Sequence, residues 1–280
     1  MKERIIIPIF QVDAFTDKHF SGNPAAVCIL PYKIENKIMQ NIAFEMNLSE
    51  TAFLLNISDK PIKDSKIFSL RWFTPEVEVP LCGHATLATA KVLFSEIGIV
   101  SEVLTFKTLS GDLNIKKEKD GILLNFPSGE VEPIEPVKSV LDVLGVKNAE
   151  DFAYSKKLKK LLIRVDGEKQ VKNISPNFEE MKKIKTKLDI LGIIVTSLGS
   201  PPYDFISRFF APWLGINEDP VTGAAHTVLT PYWAKILNKK EMLAYQASKR
   251  GGSLKVRVSS DDRVDLIGDG VVVLKGELYL

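Results

Sequence analysis

Glu218-Asp219-Pro220-Val221-Thr222-Gly223-Ala224-Ala225-His226 leads into an apolar run through Val228, Leu229 and Trp233. Proline's fixed φ suits the approach to a helix N-terminus, and the small residues after it leave the backbone bare. Free N–H groups at such a start lie open to a carboxylate or phosphate. A related stretch, Leu81-Cys82-Gly83-His84-Ala85-Thr86-Leu87-Ala88-Thr89-Ala90, ends the first third of the chain. Laying Cys82–Thr86 over Thr222–His226 aligns a small nucleophile-type residue, a glycine and an alanine. The repetition predicts two related halves, each with a buried helix whose N-terminus faces a shared cleft. Pattern alone also allows two plain Ala-rich core helices.

The chain has 280 residues, a length suited to two ordinary domains. Hydrophobic residues at 45% and charged residues at 26% fit a globular protein with a sizeable core. A net charge of +2 favours neither nucleic acid nor an anionic membrane as partner. The lysine runs 157–160 and 182–187 read as solvated helix faces. Met1-Lys2-Glu3-Arg4 and the short apolar run Ile5–Phe10 are too brief for a signal peptide or a membrane span. Cys28 and Cys82 make no disulfide framework, so a cytoplasmic location is expected. His19, His84 and His226 are far apart, and no His-x-x-x-His or Cys-x-x-Cys spacing marks a metal site.

In order, strands are expected at 5–13, 25–30, 68–73, 103–108, 113–117 and 122–126, with a helix over 38–46. The proline-rich segment 127–136 marks the domain boundary. Beyond it a helix is expected at 137–144, a strand at 161–165, an amphipathic helix at 178–188, and strands at 190–196 and 203–210. Strands 254–258, 263–266 and 271–280 close the chain. Residues 1–126 therefore form the N-terminal half, which the final strand 270–280 can complete, and 127–269 form the C-terminal half.

Glu50 falls where a helix ends and a strand begins, between Leu48 and Ala52-Phe53. Desolvated there, its carboxyl would titrate nearer neutrality, as a general acid/base requires; pointed outward, it is an ordinary strand-start glutamate. His84 sits in a helix first turn, where the dipole disfavours the imidazolium, or it caps its own helix. Arg250 with Gly251-Gly252 could help hold a carboxylate, or form a plain hairpin turn. No Gly-x-Gly-x-x-Gly, P-loop or Gly-x-Ser-x-Gly pattern supports nucleotide, nicotinamide or serine-hydrolase chemistry.

The blocks Gln11–Phe15, Gly22-Asn23-Pro24-Ala25, Asn47–Thr51, Arg71-Trp72-Phe73-Thr74-Pro75, Cys82–Thr86, Glu218–Gly223 and Arg250-Gly251-Gly252 occur in this order. Together they resemble the PhzF (phenazine-biosynthesis-protein-like) family. The resemblance implies an α+β, diaminopimelate-epimerase-like fold of two similar domains, each a curved, mostly antiparallel sheet or barrel around a central helix. It implies an isomerase that moves a proton on a small carboxylate-bearing, dihydro-hydroxyanthranilate-like metabolite, needs no cofactor or metal, and forms a homodimer. Carried over by motif, Glu50 is the acid/base, and His84 and Asp219 orient or protonate the substrate. Gly83, Thr222, Gly223, Ala224 and Arg250 become its binding residues.

Two departures bear on substrate choice. Ala224 stands where the family often has serine. Cys82 occupies the place of one catalytic thiol of amino-acid racemases of this fold, but Thr222 stands opposite, which excludes a two-thiol reaction. A one-thiol racemase, epimerase or hydroxy-amino-acid dehydratase stays open, since a helix start is expected to lower the Cys82 pKa. So do a packing role for Cys82 and a non-catalytic carboxylate-binding protein.

Overall fold

The computed structural model describes residues 5–260 and 262–280; Met1–Arg4, read above for a leader, lies outside them. The chain divides into two compact units, residues 1–125 with 267–280, and residues 126–266. The corresponding cuts expected from sequence were 126/127 and 269/270. Among the described residues no helix is long and apolar enough to cross a membrane.

The first unit contains β1 (Ile6–Ala14), β2 (Asn23–Leu30), α1 (Asn36–Met46), β3 (Glu50–Asn56), β4 (Ile67–Phe73), β5 (Glu78–Val79), α2 (Gly83–Val92), β6 (Val103–Thr108), β7 (Gly111–Glu118) and β8 (Gly121–Pro127). The second contains β9 (Glu132–Pro133), α3 (Lys138–Leu144), β10 (Asp151–Ser155), β11 (Lys160–Arg164), α4 (Glu168–Asn173), α5 (Phe178–Lys182), β12 (Gly192–Leu198), β13 (Phe205–Ala211), β14 (Ile216–Asp219), α6 (Gly223–Leu237), β15 (Glu241–Gln246), β16 (Gly252–Ser260) and β17 (Arg263–Gly268). Finally β18 (Gly270–Tyr279) runs antiparallel to β1 and so completes the first unit.

Within the first unit β1 pairs antiparallel with β2, β2 parallel with β3, β3 antiparallel with β4, β4 parallel with β6, and β6 antiparallel with β7. The second unit repeats the series with β10, β11, β12, β13, β15 and β16. Each parallel step needs a crossover, and α1 and the α4–α5 segment supply the first of these in each unit. Met39, Ile42 and Ala43 of α1 pack on Ile9, Cys28 and Phe53. Val171 and Met181, from α4 and α5, pack on Ile163, Val195 and Phe210.

The central helices are buried nearly all round, from His84 to Ala90 in α2 and from Ala225 to Thr230 in α6. Alanine and threonine make this feasible because they allow the backbone close to the sheet. Each buried hydroxyl returns to a carbonyl one turn back: Thr86 to Cys82 at 2.5 Å, Thr89 to Ala85 at 2.7 Å, Thr230 to His226 at 2.6 Å. Pro231 inside α6 has no N–H for the Thr227 carbonyl. That carbonyl instead accepts from the Gly129 N–H at 3.0 Å. Trp233 stacks on Phe205 at 5.7 Å and donates Nε1–H to Thr196 Oγ1 at 2.9 Å.

Before each central helix an arginine clasps a glutamate with both fork nitrogens. Arg71 holds Glu78 at 2.7 and 2.7 Å, and Arg208 holds Glu218 at 2.6 and 2.8 Å. Each guanidinium also lies over the second following residue, Phe73 at 5.2 Å or Phe210 at 4.9 Å. The repeat is therefore longer than the helix starts alone: Arg71-Trp72-Phe73 to Gly83 matches Arg208-Phe209-Phe210 to Gly223. Arg208 Nη1 also donates to the carbonyls of Val171 and Ile174, tying down the C-terminal end of α4.

Two sequence expectations need correction. The helix expected over 178–188 ends at Lys182. Lys182 and Lys183 pair back with Glu179 and Glu180, and beyond them Thr186 accepts the Leu188 N–H at 2.9 Å in a local turn instead of continuing the helix. The 157–160 run is no helix face: it closes the turn between β10 and β11, and Lys160 opens a strand.

Gly22 joins β1 to β2 at φ +68°, and a Cβ there would lie 2.2 Å from the Ala14 carbonyl oxygen. Gly22→Ala is therefore expected to cost about 2–3 kcal/mol, read as a lower denaturant midpoint with unchanged slope. His226 is fully buried, donates Nδ1–H to the Thr222 carbonyl at 2.8 Å, and turns its other nitrogen toward apolar surroundings. Burial lowers its pKa from 6.5 to about 4. The unfolded chain then binds the extra proton first, so this stability is whole above pH 6.5 and is lost as pH falls through about 4. The expected loss is about 3 kcal/mol, and His226→Gln should flatten the stability profile across that window.

Candidate active site

In the first unit, strand pairing sets the site. The β2–β3 register places Glu50 beside Ala25 at the start of β3, and the hairpin clasped by Arg71 delivers Cys82 to the N-cap of α2. Glu50 Oε2 lies 3.0 Å from His84 Nε2, with side chains 13% and 6% exposed. Cys82 Sγ lies 3.5 Å from His84 Nδ1, and the Asn23 amide nitrogen reaches that same Nδ1 at 3.2 Å. The carboxylate therefore meets an imidazole, not the apolar surroundings expected from Leu48, Ala52 and Phe53.

Two electrostatic expectations reverse here. Burial would lower the His84 pKa, but the Cys82 sulfur and the Glu50 carboxylate beside the ring outweigh it and carry the pKa well above 6.5. The ring expected to stay neutral at the helix start is thus the more readily protonated for its neighbours. Cys82 was expected to be acidified by the helix start. Instead burial, reinforced by the Glu50 charge, pushes its thiol up to about 11.

In the second unit, Thr222 caps α6 and donates its hydroxyl to Asp219 Oδ2 at 2.5 Å. Gln246 braces both: its Oε1 accepts from the Thr222 N–H at 2.9 Å, and its Nε2 donates to the Asp219 carbonyl at 2.6 Å. Gly223 is the first helical residue, and Ala224 next to it is exposed. Arg250, half-buried, lies in the turn before β16, where Ser248 Oγ ties that turn to the Pro220 carbonyl at 2.8 Å.

The registers make the two copies comparable residue by residue. Thr51 pairs with Phe73, and Ile193 pairs with Phe210, so Gly192 occupies the place of Glu50. A Cβ at Gly192 would lie 2.3 Å from the Phe209 ring, so the ring fills the space a carboxylate has in the first unit. Lys160, paired with Gly192, sets its ammonium 5.5 Å over the same ring. Phe209 in turn pairs with Asp219, which puts Lys160, Phe209 and Asp219 on one sheet face. Burial lowers the Lys160 pKa, and the Asp219 charge partly offsets this. A cavity of about 710 Å³ lined by Glu130, Lys156, Lys157 and Arg263 contains none of these groups and mixes both charges.

Sequence reading missed roles for Asn23, Lys160 and Gln246. Asn23 was visible only as part of a motif, and Lys160 was hidden in a lysine run. Nor did spacing show that Glu50, Cys82 and His84 each bring a ligand-type atom within 4.8 Å of the others.

A family model described as phenazine biosynthesis-like protein matches residues 12–276. An uncharacterized isomerase of Halalkalibacterium halodurans is 49% identical, over 98% of this chain and 98% of its own. The mouse phenazine biosynthesis-like domain-containing protein 1 is 47% identical, over 97% of this chain and 99% of its own. The crystal structure of a PhzF-family protein from Enterococcus faecalis superposes with a TM-score of 0.90 at 42% identity, covering 99% of this chain and all of that one (100%). With the family model matched along most of its length and relatives of 47–49% identity covering nearly all of it, the chain belongs to the phenazine biosynthesis-like, or PhzF, family.

Proposed function

We propose that this isomerase-family enzyme relocates a proton on a small carboxylate-bearing metabolite, with Glu50 as base and then acid. The carrying observation is the Glu50–His84 contact: a mostly enclosed carboxylate 3.0 Å from an imidazole at a helix start. Glu50 takes a proton from a substrate carbon, and the C–H electron pair moves into the adjacent unsaturated system. His84, held charged by its neighbours, steadies the negative charge that develops. The protonated Glu50 then returns the proton to a second carbon, which leaves the double bond shifted and the atoms balanced.

The second unit lacks a base at the matching position, because Gly192 stands there. Its groups suit binding: Lys160 offers a cation, Thr222 and Gln246 hold Asp219, and Gly223 and Ala224 leave the start of α6 uncrowded. A dihydro-hydroxyanthranilate-like acid fits this assignment. The thiol reading has one observation in favour, the 3.5 Å approach of Cys82 Sγ to His84 Nδ1, but burial keeps that sulfur protonated near neutral pH.

Incubation in D₂O with cyclic and linear amino and hydroxy acids, followed by mass and NMR spectra, tests the assignment. Turnover is expected to fall about 10²–10⁴-fold in Glu50→Gln and to survive in Cys82→Ala. The reverse dependence would move the chemistry to the thiol. Lys160→Met is expected to raise KM about tenfold or more with kcat little changed, as loss of a binding cation requires. An unchanged KM would remove Lys160 from the site.

A further inference from the structure

The Glu50–Cys82–His84 group contains one carboxylate oxygen, one sulfur and one imidazole nitrogen, all within 4.8 Å of one another. We propose that these three side chains bind a thiophilic divalent cation, Zn²⁺ being the matched ion, and that its binding blocks the proton transfer assigned to Glu50. The blocking clause rests on that assignment; the binding clause does not.

Bond lengths to zinc of about 2.0–2.3 Å for nitrogen, oxygen and sulfur imply tetrahedral edges of roughly 3.3–3.6 Å. His84 Nε2 stands 3.0 Å from Glu50 Oε2 and 3.9 Å from Cys82 Sγ, bracketing those edges. Side-chain adjustments of a few tenths of an ångström would bring these two edges to the required lengths. Three protein ligands leave a fourth position for water or a substrate group. With Nε2 on the metal, Nδ1 carries the ring proton and needs an orienting acceptor. The Asn23 amide already lies 3.2 Å from Nδ1, and turned to present its oxygen it fills that role.

Ligand chemistry sets the choice of ion. Magnesium and calcium seek six or more oxygens, and this group supplies a carboxylate with sulfur and nitrogen instead. No redox step is involved. As the sulfur–metal bond forms, the thiol proton leaves to solvent, and the ring proton on Nε2 leaves as the nitrogen binds. Binding therefore tightens as pH rises.

Co²⁺ added to chelator-treated full-length protein provides the spectroscopic test. One ion per chain is expected, with a thiolate-to-cobalt charge-transfer band in the near ultraviolet and intense tetrahedral bands in the visible, all bleached by Zn²⁺. The band should vanish in Cys82→Ser and persist in Cys28→Ser, while Asn23→Ala weakens binding about 10–100-fold. Circular dichroism checks each variant's fold. If Cys82→Ser does not fold, Glu50→Gln is the deciding variant, with an expected loss of at least about tenfold in affinity. No band in the wild type, a band unaffected in folded Cys82→Ser, or, where that variant fails, unaltered binding in Glu50→Gln overturns the proposal. Solvent exchange by the chelator-treated protein tests the Glu50 assignment separately, so the two can fail independently; exchange undiminished with one Zn²⁺ bound per chain overturns the blocking clause.

Discussion

A central helix buried over most of its length is the constraint from which the rest of each unit follows. Much of it carries short side chains, beside the large buried Leu87 and Trp233, and its buried polar atoms cannot turn to water. The chain answers with alanine and with threonines bonded to carbonyls one turn back, as at Thr86, Thr89 and Thr230. What stays polar is the N-terminus, whose first N–H groups have no partners inside the helix. The candidate site residues gather at that end because it is the polar end of an otherwise apolar element. The arginine–glutamate clasp then fixes the hairpin that delivers each N-cap, Cys82 in one unit and Thr222 in the other.

One scaffold thus appears twice with different contents. At matching positions the first unit has Glu50, Cys82 and His84, and the second has Gly192, Thr222 and Ala224. The exchange is coordinated: Phe209 can lie over Gly192 only because Gly192 has no side chain. Lys160 can in turn rest on that ring, where burial makes its charge costly and so more responsive to an anion. The two copies thus differ in the chemistry of their helix starts: carboxylate, thiol and imidazole in the first, a hydroxyl held by Asp219 and Gln246 in the second.

Much of this was legible in the sequence, because a buried helix start leaves a local signature. Cys82–Thr86 and Thr222–His226 show small residues after an N-cap, and Glu50 sits at the strand start where it was expected. Strand alternation located most of the sheet for the same reason, since each residue's face is decided by its immediate neighbours. Asn23, Lys160 and Gln246 escaped because their roles come from pairing between distant segments. Lys160 looks like any member of a lysine run until the β11–β12 register sets it beside Gly192. The 178–188 helix failed for the opposite reason: its apolar spacing was sound, but the helix stops after five residues and Thr186 closes a local turn onto Leu188.

The Cys82 thiol shows how competing terms decide a site. A helix N-terminus favours an anion. The thiol pKa is nevertheless raised from 9.0 to about 11, because burial removes water from the sulfur and Glu50 already supplies the local negative charge. That same charge holds a proton on His84, so carboxylate and imidazolium satisfy each other and the sulfur stays neutral beside them. Forming the thiolate would add a second negative charge next to Glu50, and the single charge of the His84 ring, 3.5 Å from the sulfur and already paired with Glu50, offsets it only in part.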